Sequence, residues 1–302
     1  MGAFTKKPGA TTPKITQAKP AAMVSEASSA VPSAFAKFGA KTVDLNGQLP
    51  EHFVVTVFGL TGVGKDSFCL TLPRPTLWIE TEPDGILRAR KTLDSEGVYR
   101  VPAYMPPDSG VGKEVMDAKW KAHCEATLTN LQGAFDAACK DDGIRTIVLN
   151  TETDIWNLVR GAEFGRLFQV MQIMYSHVNP VMEAFFVKAR AAKKNLVLVQ
   201  KGEPAWEVER NAKGEPVLDK NGRQQRVQTE EIEGKGWKNT HFNSDIIIGM
   251  DKERPKKLGS KVAAKFILQA VKCGFGSGVE GRVFEGEECS WDSVVAAIRG
   301  EI

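Results

Sequence analysis

The chain reads as an α/β fold with a mainly parallel central sheet flanked by helices and an antiparallel hairpin near its C-terminus, and three observations predict it. Short runs of β-branched and aromatic residues at 53–58, 76–80, 146–150, 196–200 and 245–250 have the length and composition of buried strands. Segments between them repeat apolar residues at intervals of three and four, the period of a helix with one buried face. The last apolar pair, within 263–284, is split by Gly274-Phe-Gly-Ser-Gly278, which reads as a hairpin turn.

Composition narrows the class. With 302 residues the chain has room for one large α/β domain plus appendages. No apolar run approaches the ~20 residues that span a bilayer, and the N-terminus lacks the apolar core of a signal peptide, so a cytoplasmic protein with no membrane partner is expected. The five cysteines (69, 124, 139, 273, 289) are odd in number and contain no C-x-x-C, which argues against a disulfide framework or a zinc site. Four scattered histidines (52, 123, 177, 241) give no support to a metal cluster or a histidine-based triad. The net charge of +3 is uneven: residues 1–50 hold six lysines against Glu26 and Asp44, so the rest is close to neutral. Residues 1–48, rich in Ala, Pro, Ser, Thr and Lys, are expected to form a disordered basic arm before a single domain at 49–302.

The first strand breaks into a turn with glycines at 59, 62 and 64, followed by Lys65. Glycines permit positive φ and close backbone approach, so successive N–H groups converge on an anion while the lysine supplies a mobile full charge. This Gly59-x4-Gly64-Lys65 spacing is a P-loop, which makes Gly59, Gly62, Val63, Gly64, Lys65, Asp66 and Ser67 the candidate nucleotide-binding residues. Where the pattern usually has a Ser or Thr to hold Mg²⁺, the chain has Asp66, with Ser67 one place late.

Pro73 and Pro75 force the next helix to be short. Strand 76–80 ends in Glu80-Thr-Glu82, two carboxylates at the strand edge off which ligands of open α/β sheets sit. Residues 112–139 repeat Met116, Trp120, Cys124, Leu128, Leu131 and Phe135 at helical spacing as core packing. Strand 146–150 ends in Asn150, where a P-loop site normally places the acid that holds Mg²⁺ through water. Helices are expected at 155–174 and 181–192, then a strand ending in Gln200, a polar excursion at 201–243, and a closing helix after Ser290.

In this order the features resemble the RecA-like ATPases, particularly small phage-encoded members of the P-loop AAA/RecA group involved in single-strand DNA annealing. The P-loop at 59–67, Trp78-Ile-Glu-Thr-Glu82, Ile147-Val-Leu-Asn150 and Val199-Gln200 carry the resemblance, which covers residues 53 to about 250. It implies ATP and Mg²⁺ as cofactors, ATP hydrolysis in DNA recombination, annealing or replication, and the cytoplasm of a host cell as location. Lys65 then binds phosphate, Glu82 activates water, and Gln200 couples nucleotide state to the following loop. Implied partners are single-stranded DNA or a single-strand-binding protein, with a homo-oligomer completing the assembly. The loop after Gln200 offers Arg210, Arg223, Arg226, Trp237 and Lys238 for nucleic acid, although its eight basic residues are matched by eight acidic ones. Lys272 is a candidate for a cation donated to a neighbouring subunit.

Two departures from that family are opposite in charge. Asp66 adds a negative charge beside the metal position and Asn150 removes one, so Asp66, with Ser67 and Asn150, is expected to serve the metal. Two alternatives stay open at this level. Gly-Lys-Asp-Ser also resembles the P-loop of phage-type deoxynucleoside monophosphate kinases, with Arg88, Arg90 and Arg100 as candidate lid residues. A non-hydrolysing, nucleotide-gated scaffold is the other.

Overall fold

The computed structural model describes residues 50–89, 96–106, 113–166, 172–211, 213–253, 265–275 and 278–302. The expected basic arm at 1–48 lies outside the described residues, as does Arg90. Among the described residues nine strands form one sheet: β1 (Val54–Gly59), β2 (Thr76–Glu80), β3 (Val98–Pro102), β4 (Thr146–Asn150), β5 (Asn195–Val208), β6 (Arg226–Lys235), β7 (Ile246–Glu253), β8 (Lys265–Cys273) and β9 (Val283–Glu285). Their order is β3-β2-β4-β5-β1-β7-β8-β9, with β6 paired to the far end of β5. Every pairing from β3 to β7 along this path is parallel, and β7-β8-β9 is antiparallel, so the expected mainly parallel sheet with a C-terminal hairpin is observed. The wholly buried β1, β2 and β4 are the near-continuous apolar runs that a sheet covered on both faces requires.

Side chains alternate across the sheet with a period of two. One face carries Ile79, Leu149 and Leu198 into a core with Leu131 and Phe135 of α2 (Lys113–Lys140), Ile155 and Val159 of α3 (Glu152–Phe164), and Met182, Phe185 and Phe186 of α4 (Asn179–Ala191). Phe135 meets Phe185 edge to face at 4.9 Å. Each such aromatic side chain contributes about 2–3 kcal/mol by leaving water. The opposite face receives α1 (Lys65–Cys69) and α6 (Trp291–Ile298); Trp291 packs on Phe53 at 5.0 Å and its N–H donates to Thr71 at 2.8 Å.

Three elements differ from the sequence expectation. β3 was not anticipated, because none of the five residues of VYRVP is buried and the strand is paired only at the sheet's edge. The helix expected at 155–174 begins at Glu152, where Thr151 caps it by accepting from the Asp154 N–H, and stops at Phe164 because Gly165 turns the chain at φ 65°. β5 runs on to Val208 because β6 continues to pair with it after its parallel neighbours end.

Candidate functional site

The glycine loop leaves β1 at the C-terminal edge of the parallel strands. Gly62 and Gly64 take φ of 80° and 95°, conformations that favour glycine, and a Cβ on Gly59 would lie 2.3 Å from the Met250 carbonyl oxygen. Val63 is buried and anchors the loop to the core. Lys65 folds back over it, Nζ donating to the carbonyls of Gly59 at 2.8 Å and Leu60 at 2.9 Å. Burial lowers the Lys65 pKa, against the opposing pull of Asp66 and Glu82. A poorly solvated ammonium whose direct partners are two neutral carbonyls is a group that an anion stabilises.

The two departures from the P-loop pattern touch each other. Asn150 Nδ2, at the end of β4, donates to Asp66 Oδ1 on α1 at 3.2 Å. Burial raises the Asp66 pKa to about 6, partly opposed by Lys65. Among the described residues no group of three His, Cys, Asp or Glu side chains forms a closed metal cage. One carboxylate, a hydroxyl at Ser67 and an amide suit instead a cation that keeps most of its water and is shared with a nucleotide's phosphates.

The carboxylates after β2 have separate partners. Glu80 is fully buried, accepts from the Ile86 N–H at 2.8 Å, and is bonded by Arg100 Nε of β3. It therefore fixes the turn after β2. Arg100, a candidate lid residue, also donates to the Tyr104 hydroxyl at 2.7 Å and is held inside this cluster. Glu82 lies nearer the glycine loop, within electrostatic reach of both Lys65 and Asp66, and pairs with Lys201 at 2.9 Å. Lys201 also reaches Asp154, at 2.8 Å from Oδ2 and 3.0 Å from Oδ1. Neither Lys201 nor Asp154 stood out in the sequence, since a charge after a strand usually marks a solvated end.

Gln200 turns to the other face. Its Nε2 donates to Glu152 Oε2 at 3.0 Å, and its Oε1 lies 3.0 Å from His241 Nε2. Glu152 Oε1 accepts from the Trp237 N–H and the Thr240 hydroxyl, each at 3.0 Å, and burial raises this carboxyl's pKa to about 7. Thus the sequence-predicted Gln200 belongs to a buried network rather than to the lysine side of the loop. Beside it, Trp156, Asn157, Arg160, Lys235 and Lys238 line a cleft of about 460 Å³. Gly236 passes so close to the network that a Cβ would sit 1.9 Å from Glu152 Oε2. Gly236→Ala is expected to destabilise the fold by about 1–3 kcal/mol through overpacking, read as a lowered thermal midpoint; an unchanged midpoint would refute this close packing.

The nucleic-acid candidates are dispersed. Arg210, Arg223 and Arg226 lie on the β5–β6 excursion, where Arg210 donates to the Gly214 carbonyl at 2.8 Å, and Lys238 lines the cleft. Trp237 corrects the expectation of a base-stacking platform. Its ring is buried against Phe186 at 5.7 Å and its Nε1 donates to Asn179 at 2.9 Å, which makes it a core residue. Trp206 and Phe242 are the exposed aromatics of this region. Lys272 donates to the carbonyls of His241 and Ser244 at 3.1 and 2.6 Å, and so braces α5 (Thr240–Asn243). Among the described residues, no helix is long and apolar enough to cross a membrane.

No family model matches the chain, and no curated protein does. Among solved structures it is similar to one titled "Crystal structure of the RadB recombinase", with a TM-score of 0.38 and 12% identity, over 78% of this chain and 86% of that one.

Proposed function

We propose that the chain is a RecA-like P-loop protein that binds and hydrolyses Mg-ATP and acts on single-stranded DNA. The observation that carries the nucleotide reading is the hydrogen bond between Asp66 and Asn150. Two substitutions that exchange a charge are unremarkable far apart. In contact beside the glycine loop, they keep the metal position's charge while moving it from strand to helix.

The residues divide the work. The loop's backbone N–H groups and Lys65 hold the phosphates, and Asp66 with Ser67 and Asn150 holds Mg²⁺, which when bound neutralises phosphate charge. Glu82, outside the metal set, is the carboxylate placed to orient water and accept its proton. The DNA role draws on the resemblance and on the exposed arginines 210, 223 and 226 with Trp206, whose stacking on a base would be worth ~1–3 kcal/mol.

A double-mutant cycle tests the nucleotide site. Asp66→Ser and Asn150→Asp are each expected to weaken Mg-ATP binding by about tenfold, and the pair to recover most of the loss. Simply additive losses would show that the two residues do not share the metal. ATP turnover measured with and without single-stranded DNA tests the second half; turnover indifferent to DNA would remove it.

A further inference from the structure

Lys201 follows Gln200 on β5, and the strand's alternation sends the two to opposite faces of the sheet. Gln200 is registered with Phe58, whose ring lies 5.9 Å from that of His241. Lys201 is registered with Gly59, the first glycine of the loop, on the face that also carries Asn150 and Glu80. On that face Asn150 meets Asp66 of α1, so Lys201 shares its side of the sheet with the metal candidates.

The Lys201 ammonium bridges two carboxylates, Glu82 and Asp154, and Asp154 is itself held by the hydroxyls of Thr81 at 3.1 Å and Thr151 at 3.0 Å. Asp154 is thus held at its end of the bridge by hydrogen bonds of its own, and the Lys201 stem is the part that can turn. The two lysines are also close enough for repulsion from Lys201 to help lower the Lys65 pKa, after the larger effect of burial. Glu82 already offsets part of this repulsion, and a further anion between the two ammoniums would offset more of it.

We infer that Lys201 contacts the terminal phosphate of a bound nucleoside triphosphate, keeping Asp154 as its anchor and releasing Glu82, so that Lys201 rather than Gln200 registers the third phosphate. The inference rests on the nucleotide site proposed above. A polyphosphate brings negative charge to an edge already holding Asp66, Glu82 and Asp154, and a lysine with two carboxylate partners has one to spare. Its stem is long enough to turn without moving β5. Glu82, released from the ammonium, regains the lone pairs with which a carboxylate orients water. Gln200 has no comparable freedom, because both ends of its amide are spent in buried hydrogen bonds.

The test is calorimetric binding of ADP and of a non-hydrolysable ATP analogue, each with Mg²⁺, to the full chain. Wild type is expected to prefer the triphosphate by about tenfold, and Lys201→Met to narrow that preference to about twofold while ADP affinity stays within about threefold. Lys201→Arg, which keeps the charge, is expected to retain most of the preference. Thermal melts establish that each variant is folded, which the half-exposed position of Lys201 favours. A folded Lys201→Met chain with the wild-type preference overturns the inference and leaves the nucleotide site standing, as does a wild type that binds both nucleotides equally. A wild type that binds neither overturns the nucleotide reading and this inference with it.

Discussion

Replacing Lys65 by alanine is expected to weaken ATP binding by about a hundredfold while leaving the fold almost unchanged. The stability half follows from its partners. Nζ bonds two carbonyls, those of Gly59 and Leu60, at a half-open edge where water can replace it, so the loss is about 1 kcal/mol or less. The affinity half follows from its surroundings. The ammonium is poorly solvated, Asp66 and Glu82 stand near without bonding it directly, and a phosphate replacing the two carbonyls gains a charge-assisted hydrogen bond. Calorimetry with Mg-ATP and a thermal melt separate the two halves. Affinity within about threefold of wild type would mean that the loop does not hold phosphate.

Where chemistry is local, the sequence was enough. The loop from Gly59 to Lys65 is specified by its own glycines, and β2 and β4 by runs of apolar residues that end where a polar group must face the edge. Where chemistry comes from neighbours, it was not. Glu80 and Glu82 look alike in the chain. They are told apart by Arg100, which arrives on a strand too exposed to announce itself, and by Lys201, which stands beside the loop only because β5 lies next to β1. Trp237 has the same cause in reverse: it sits in a polar stretch and reads as exposed, but Phe186 and Asn179 of α4 draw it into the core. The Asp66–Asn150 pairing was legible as a sum of charges, and its contact depended on the end of β4 coming within reach of the start of α1.

Glu152→Ala is expected to cause the largest loss of stability of any single substitution proposed for this chain. The carboxylate is fully buried and receives three hydrogen bonds, from the Trp237 N–H, the Thr240 hydroxyl and the Gln200 amide. Alanine strands all three donors and opens a cavity, at a cost of about 3 kcal/mol, which for a domain of this size lowers the thermal midpoint by roughly 6–12 °C. Glu152→Gln is expected to be far milder. Its carbonyl can accept from Trp237 and Thr240, and its amide can donate to Gln200 once that side chain turns over and donates in turn to His241. The glutamine also removes a titration. The carboxyl's pKa rises from 4.5 unfolded to about 7 folded, so its contribution is fully present below pH 4.5 and is lost as pH rises through 7, by about 3 kcal/mol in all. Melting midpoints from pH 4.5 to 8 are therefore expected to fall less steeply for Glu152→Gln than for wild type. Asp66, with a pKa raised to about 6, keeps part of the slope in both chains. Equal slopes would mean that Glu152 does not change its protonation on folding, and an unaltered midpoint for Glu152→Ala would mean that the network does not hold α3 to the turn after β6. If the network does hold them, β5 beside the glycine loop is rigid on its Gln200 side, while on its other side Lys201 has two carboxylates between which to exchange. A residue that senses phosphate needs that asymmetry.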